Sequence, residues 1–252
     1  MVTATNLTKL QAFLIHFAIS ATVVVMVFAV IWFIWYPSPL FELFGAWEII
    51  RVLIVVDLVL GPLLTLIVYR AGKARLLFDM VVIAAIQVSA LVYGVASIYT
   101  ERPCYMVFSV DRFEALSCDM IDPAQLAARS DLNQRRWYEP LYVVALMPTD
   151  PAERNRLLQE VMFEGKPDLP LRVAYWANFE GDALDGIRGK SVPLAQATMD
   201  TSLMEKAVAA AGPDGRLLPM PARDDFVTLV IDPQTFKPVA RLPVDFWEVT
   251  AR

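Results

Sequence analysis

Three stretches before residue 100 lack the usual alternation of apolar and polar positions. Gln11–Tyr36, Ala46–Tyr69 and Leu76–Ile98 are apolar almost throughout, with cores VVVMVFAVIWFIW, VLIVVDLVLGPLLTLIVY and VVIAAIQVSALVYGVASI. Each exceeds the roughly 20 residues a helix needs to cross about 30 Å of hydrocarbon. The pattern predicts three transmembrane helices.

Beyond them the apolar positions come in shorter groups divided by turn residues. Tyr105–Phe113 (YMVFSVDRF) is rich in β-branched and aromatic residues and predicts a strand. Asp122-Pro123 predicts an N-cap with proline at N1, opening a helix to about Ser130. Leu141–Met147 predicts a buried strand. Asp150-Pro151-Ala152-Glu153 predicts a second helix start with an acid at N3, and Leu157, Leu158, Val161 and Met162 would be its apolar stripe. Leu171–Trp176 predicts a short strand and Gly181–Pro193 a loop. Ser202–Ala211 predicts a helix ended by Gly212-Pro213. Phe226–Ile231 and Pro238–Pro243 predict a hairpin about Asp232-Pro233-Gln234. The expected fold is thus a membrane α-helical region of three transmembrane helices, residues 1–98, plus a periplasmic α+β domain, residues 99–252.

Composition sharpens the division. Hydrophobic residues make up 57% of the chain and charged ones 19%. Only 9 charged residues fall in the first 98 positions, against 40 in the remaining 154. This excludes a wholly soluble protein, a disordered chain and a disulfide-dense miniprotein. The second part carries 17 Lys and Arg against 23 Asp and Glu, a net charge of −6. That argues against nucleic acid as a partner, because phosphate neutralisation takes clustered cations.

Loop charge sets the expected orientation. The connection Pro37–Gly45 has no Lys or Arg, whereas Arg70–Arg75 has Arg70, Lys73 and Arg75. Basic loops stay in the cytoplasm, so the amino terminus is expected inside and everything after about Tyr99 outside. In a bacterium with two membranes this is an inner-membrane protein with a periplasmic head. Trp32, Trp35, Tyr36 and Trp47 fall at the outer boundary, where amphipathic rings favour the interface. Cleavage of the first run as a signal peptide is disfavoured. The run far exceeds a 7–15-residue apolar core, and no small-x-small site follows Tyr36.

The two cysteines, Cys104 and Cys118, both lie just past the third span. In an oxidising compartment a disulfide between them is the default. With the single histidine, His16, far away in the first span, they do not suggest a metal site.

Polar residues inside the spans are few. Asp57 and Gln87 fall near the middles of the second and third spans, so antiparallel packing brings them to one depth. A carboxylate there must be neutralised or partnered. A protonated Asp57 donating to the Gln87 carbonyl would do this. Interhelical glue is favoured over a proton relay, since no second titratable group is expected at that depth. Glu48 and Arg51 would pair near the outer end, and Asp79 would pair with Arg75 at the inner end. Gly61-Pro62 predicts a kink.

No catalytic pattern is found. There is no HExxH, GxSxG, P-loop or GxGxxG, and the one histidine excludes an outer His-based triad. Asp224-Asp225 reads as solvated acids. Of Trp137, Tyr138, Tyr175 and Trp176, at least half are expected in the core rather than on a binding face. No enzyme activity and no cofactor are expected.

The order and spacing of several motifs resemble the type IV pilin accessory proteins of the TfpX/TfpZ kind. They are Val56-Asp57-Leu58-Val59-Leu60-Gly61-Pro62-Leu63-Leu64-Thr65, Asp79, Gln87, Ala90-Leu91-Val92-Tyr93-Gly94, Arg102-Pro103, Val107-Phe108 and Asp111-Arg112-Phe113. The resemblance covers residues 10–115 well and the rest weakly. It implies an inner-membrane protein, chaperone-like, that assists one pilin and modulates its stability, assembly or pilus dynamics. A pilin before assembly has one apolar helix in the membrane and a periplasmic head. Asp57, Gly61, Pro62 and Gln87 would then meet the helix, and Arg102, Asp111 and Arg112 the head. The alternative for these last three is an ion-pair network that fixes the domain on the third helix. The alternative function is a membrane-anchored periplasmic ligand sensor acting through a separate transducer.

Overall fold

The computed structural model describes residues 7–36, 41, 46–136, 139–221 and 226–250. The chain forms two compact units: residues 1–35 with 45–100, and residues 36–44 with 101–252.

The first unit is helical. Helix α1 (Lys9–Val30) opens on a capping box. Thr8 Oγ1 accepts from the Gln11 N–H at 3.2 Å, and Gln11 Oε1 accepts from the Thr8 N–H at 2.9 Å, so two of the amides left free at a helix start are satisfied. The helix runs on through a π-helical turn, Ile31–Trp35. The second apolar run is built in three pieces: α2 (Ala46–Ile54), a π-helical turn (Val55–Leu60) and α3 (Gly61–Val68). Pro62 lacks an N–H and its ring crowds the carbonyl four residues back. The widened turn just before it absorbs that mismatch, where the sequence predicts a kink. Helix α4 (Leu76–Thr100) is the third. Three helices, Lys9–Trp35, Ile50–Val68 and Leu76–Thr100, are long and apolar enough to cross a membrane.

The middle run is the keystone of this unit: α1 packs along α3, and α4 packs against α2 and α3, while α1 and α4 touch each other far less. At one end aromatic rings tie the helices together. Phe28 lies 6.4 Å from Trp47, and Trp35 meets Tyr99 edge-on at 5.0 Å. At the other end Asp79 pairs with Lys73 at 2.6 Å, not with Arg75 as expected. The shorter Arg75–Asp79 spacing is overruled because the turn after Val68 folds Lys73 back over the start of α4. The Arg51 guanidinium sits 5.6 Å from the Trp47 ring; the Glu48 side chain lies outside the described residues.

The second unit holds two four-stranded sheets. One has the order β2-β1-β3-β4 and comprises β1 (Pro103–Ser109), β2 (Arg112–Ser117), β3 (Leu141–Ala145) and β4 (Trp176–Asn178). Its β1–β3 pair is parallel and its other pairs antiparallel. The other sheet is an antiparallel meander of β5 (Val192–Pro193), β6 (Arg216–Pro221), β7 (Phe226–Ile231) and β8 (Pro238–Leu242). Alternate residues sort into layers. Cys104, Val107, Val143 and Trp176 face a core shared with Leu157 of helix α6 (Pro151–Phe163). Met106, Phe108 and Val144 meet Leu218, Leu229 and Ile231 between the sheets. Leu217, Val230 and Leu242 pack on Ala207 of α8 (Thr201–Ala211) and Phe246 of α9 (Phe246–Thr250). Both sheets are therefore covered on both faces, which is why their strands read as apolar runs rather than alternating ones.

Several local expectations change. Tyr105–Phe113 is not one strand but the β1–β2 hairpin, turning at Val110-Asp111. Val110 adopts φ +58°, where a β-branched residue is strained, and the Asp111 N–H donates to the Ser109 carbonyl at 2.7 Å. The two predicted proline-led helices form, with Asp122 capping α5 (Pro123–Ala127) and Asp150 capping α6. On α6, however, Leu158 and Met162 face outward, and Glu160 takes a buried place instead. Leu171–Trp176 is mostly two 3₁₀ turns leading into β4. The Gly181–Pro193 loop contains α7 (Asp185–Lys190) and β5. The helix stop at Gly212 holds, with φ +75°. Trp137, Tyr138, Asp224 and Asp225 lie outside the described residues.

Cys104 and Cys118 are joined by a disulfide with Cα atoms 4.9 Å apart, tying the start of β1 to the residue after β2. Arg129 pins the neighbouring chain: its guanidinium donates to the carbonyls of Val173, Ala174 and Trp176 at 2.7, 3.0 and 2.7 Å.

Candidate functional site

The polar residues of the helical unit converge. Asp57 sits in the π-helical turn, Gly61 and Thr65 follow on the same face of α3, Gln87 comes from the middle of α4, and His16 and Ser20 come from α1. Among them Asp57, Thr65, Gln87 and Ser20 are buried. The turn matters here. A π-helical segment shifts the register of a face by one residue, so Asp57 and Gly61 both point towards α4 while Thr65 still meets α1.

Each contact is specific. His16 Nδ1 and Thr65 Oγ1 are 2.6 Å apart. Gln87 Nε2 donates to the main-chain carbonyl of Asp57 at 3.4 Å. This differs from the expected bond from an Asp57 proton to the Gln87 carbonyl: the amide reaches past the carboxyl to the backbone. It can do so because Gly61 has no Cβ, whose place is taken by the Gln87 amide. Asp57 Oδ2 and Gln87 Oε1 are consequently buried with no hydrogen-bond partner. Both residues line a cleft of about 170 Å³, together with His16, Ser20, Ile19 and Val88.

The structure thus brings together Asp57, Gly61 and Gln87, with Pro62 buried next to Gly61 in the chain. It adds His16, Ser20 and Thr65, which the sequence reading did not single out. His16 corrects the expectation that no second titratable group shares the depth of Asp57.

The head residues are not gathered in the same way. Arg102 precedes β1, and Asp111 and Arg112 lie at the other end of that strand. Arg112 Nε is 2.8 Å from Asp111 Oδ1, which holds the guanidinium charged, and it stacks 5.1 Å from the Phe226 ring of β7. The two pair side by side at the hairpin, near Glu114. Trp176 is core, its Nε1 donating to the Pro170 carbonyl at 2.9 Å. Tyr175 donates to Glu153 at 3.1 Å. On α6, Arg172 Nη1 (2.6 Å), Arg156 Nε (3.0 Å) and Lys166 Nζ (3.2 Å) surround the Glu160 carboxylate and hold it down, to about 2. Among the described residues no three His, Cys, Asp or Glu side chains gather as a metal site.

Comparison with known proteins gives the family. Residues 6–45 match the family model described as fimbrial assembly protein FimB. The fimbrial assembly protein of serogroup I of Dichelobacter nodosus is 31% identical over 184 residues, 72% of this chain and 71% of the relative. The chain belongs to this family. The serogroup E1 protein of the same organism is 30% identical over the same shares of both chains. The protein of serogroups C1 and C2 is 36% identical over 105 residues, 41% of this chain and 80% of the relative. Membership of the fimbrial assembly family agrees with the resemblance to type IV pilus accessory proteins carried by the motifs around Asp57 and Gln87. No solved structure matches.

Proposed function

We propose that this protein is a non-catalytic accessory of type IV pilus assembly, seated in the inner membrane, that holds a pilin before the pilin joins the pilus. The observation that carries the reading is the polar cleft at Asp57 and Gln87 in an otherwise apolar three-helix unit. Relatives named fimbrial assembly proteins along most of their length support it. The layout also suits a pilin, which has one membrane helix and one periplasmic head.

In this reading Asp57, Gly61, Pro62 and Gln87 receive the pilin helix, and Arg102 with the Asp111–Arg112 pair serves the pilin head. The basic loop of Arg70, Lys73 and Arg75 faces the cytoplasm. Two features support a head on the opposite side. Tyr36 and Phe41, at and within the loop without Lys or Arg, belong to the same compact unit as the residues after Thr100. The disulfide in that unit suits an oxidising compartment. The test is deletion of the gene with measurement of pilin level, pilus number and twitching, alongside co-purification of pilin with the tagged full-length protein. Reduced piliation and recovered pilin are expected. Unchanged piliation with no pilin recovered would reject the proposal.

A further inference from the structure

The groove between the first and third spans has apolar rims and a polar floor that holds two unpartnered oxygens. Helices α1 and α4 both lean on the middle run and leave a cleft between themselves. Its rim residues Ile19 and Val88 are 60% and 57% exposed. Its floor holds Asp57 and Gln87, 5% and 8% exposed, with Asp57 Oδ2 and Gln87 Oε1 both unpartnered. Of the donors nearby, Gln87 Nε2 is on the Asp57 carbonyl, and His16 Nδ1 shares a hydrogen bond with Thr65.

An unpaired acceptor is costly inside hydrocarbon, where no bulk water can satisfy it. The cleft is several times the roughly 30 Å³ that one water occupies in the liquid, and its apolar rims suit a side chain carried by a helix. The geometry points to a docking site for a fourth transmembrane helix, one that presents a hydrogen-bond donor (a hydroxyl, an amide or an amine) at the depth of Asp57. An amide or an amine has hydrogens for both oxygens and a hydroxyl for one, while the apolar face of its helix covers Ile19 and Val88. The inference deepens the pilin reading by specifying the chemistry of the occupant, and it does not require that the occupant be a pilin.

The test uses full-length protein in its own cells. A photo-crosslinking amino acid replaces Ile19 or Val88, and mass spectrometry identifies the captured peptide. The expected adduct is a membrane helix of another polypeptide with a donor side chain within one turn of the crosslinked residue. Asp57→Leu, and separately removal of that donor from the partner, should each lower the yield roughly three- to thirty-fold, the range of interhelical hydrogen bonds. Insertion of Asp57→Leu is checked by formation of the Cys104–Cys118 disulfide, and Gln87→Leu serves as a second variant. If the adduct is a non-pilin helix with the donor, the docking site stands and the pilin reading falls. Adducts with lipid alone, with a second copy of this chain, or undiminished in both Asp57→Leu and Gln87→Leu would overturn the site.

Discussion

The side-chain amide of Gln87 lies against the main chain of Gly61, in the space that a Cβ would fill. Gly61→Ala must therefore push Gln87 off the Asp57 carbonyl. Gln87→Ala removes the overlap. A double-mutant cycle on thermal stability in detergent should show a coupling of about 0.5–3 kcal/mol, with the second substitution relieving the first. Additive effects would mean that Gln87 swings aside freely.

Loss of the disulfide should loosen the head. Cys104 and Cys118 are 14 positions apart, and in the chain-entropy model a loop of that size is worth about 3 kcal/mol. Cys118→Ser should lower the melting midpoint of the full chain in detergent. In intact cells the wild-type pair should resist alkylation until reduced. Free thiols in the untreated protein would contradict both the bond and the proposed compartment.

Glu160 sets an acid limit. Its carboxyl is held near 2 by Arg172, Arg156 and Lys166, below the ordinary 4.5. A depressed carboxyl contributes stability that is complete above its ordinary value and is lost as the pH falls towards its folded one. Between about pH 5 and pH 2, the wild type should lose stability more steeply than Glu160→Gln, followed by near-UV circular dichroism. Parallel curves would show that the cluster contributes nothing to folding.

The turn of the β1–β2 hairpin stores strain at Val110, with φ +58°. Glycine adopts that conformation without a steric cost. Val110→Gly should raise stability by about 1 kcal/mol, read as a higher melting midpoint. The side chain is largely exposed, so little burial is forfeited. A lower midpoint would mean that the valine makes a contact worth more than the strain.

What the chain discloses in advance depends on whether a signal is local. The three long apolar helices were legible because apolar stretches of about 20 residues have few other uses. The meeting of Asp57 with Gln87 was legible because depth alone predicts it. Membership of His16, Ser20 and Thr65 was not, since it depends on the rotation of α1, and a helix apolar all round gives no face to read. The extra register step at Val55–Leu60 is equally invisible in the sequence. In the head, the proline-led starts at Asp122 and Asp150 are local chemistry and were read correctly. Strand β6 was missed because Pro219 and Pro221 argue against a strand; Pro219 nonetheless pairs with Thr228 inside the sheet. The outward turn of Leu158 and Met162 accompanies the burial of Glu160 among Arg156, Lys166 and Arg172, a cluster that no apolar periodicity announces.

The widened turn at Val55–Leu60 makes the polar floor depend on a single surplus residue. Deleting one position there would let the run close up as plain α-helix and rotate everything before Gly61 by about 100°, carrying Asp57 away from Gln87.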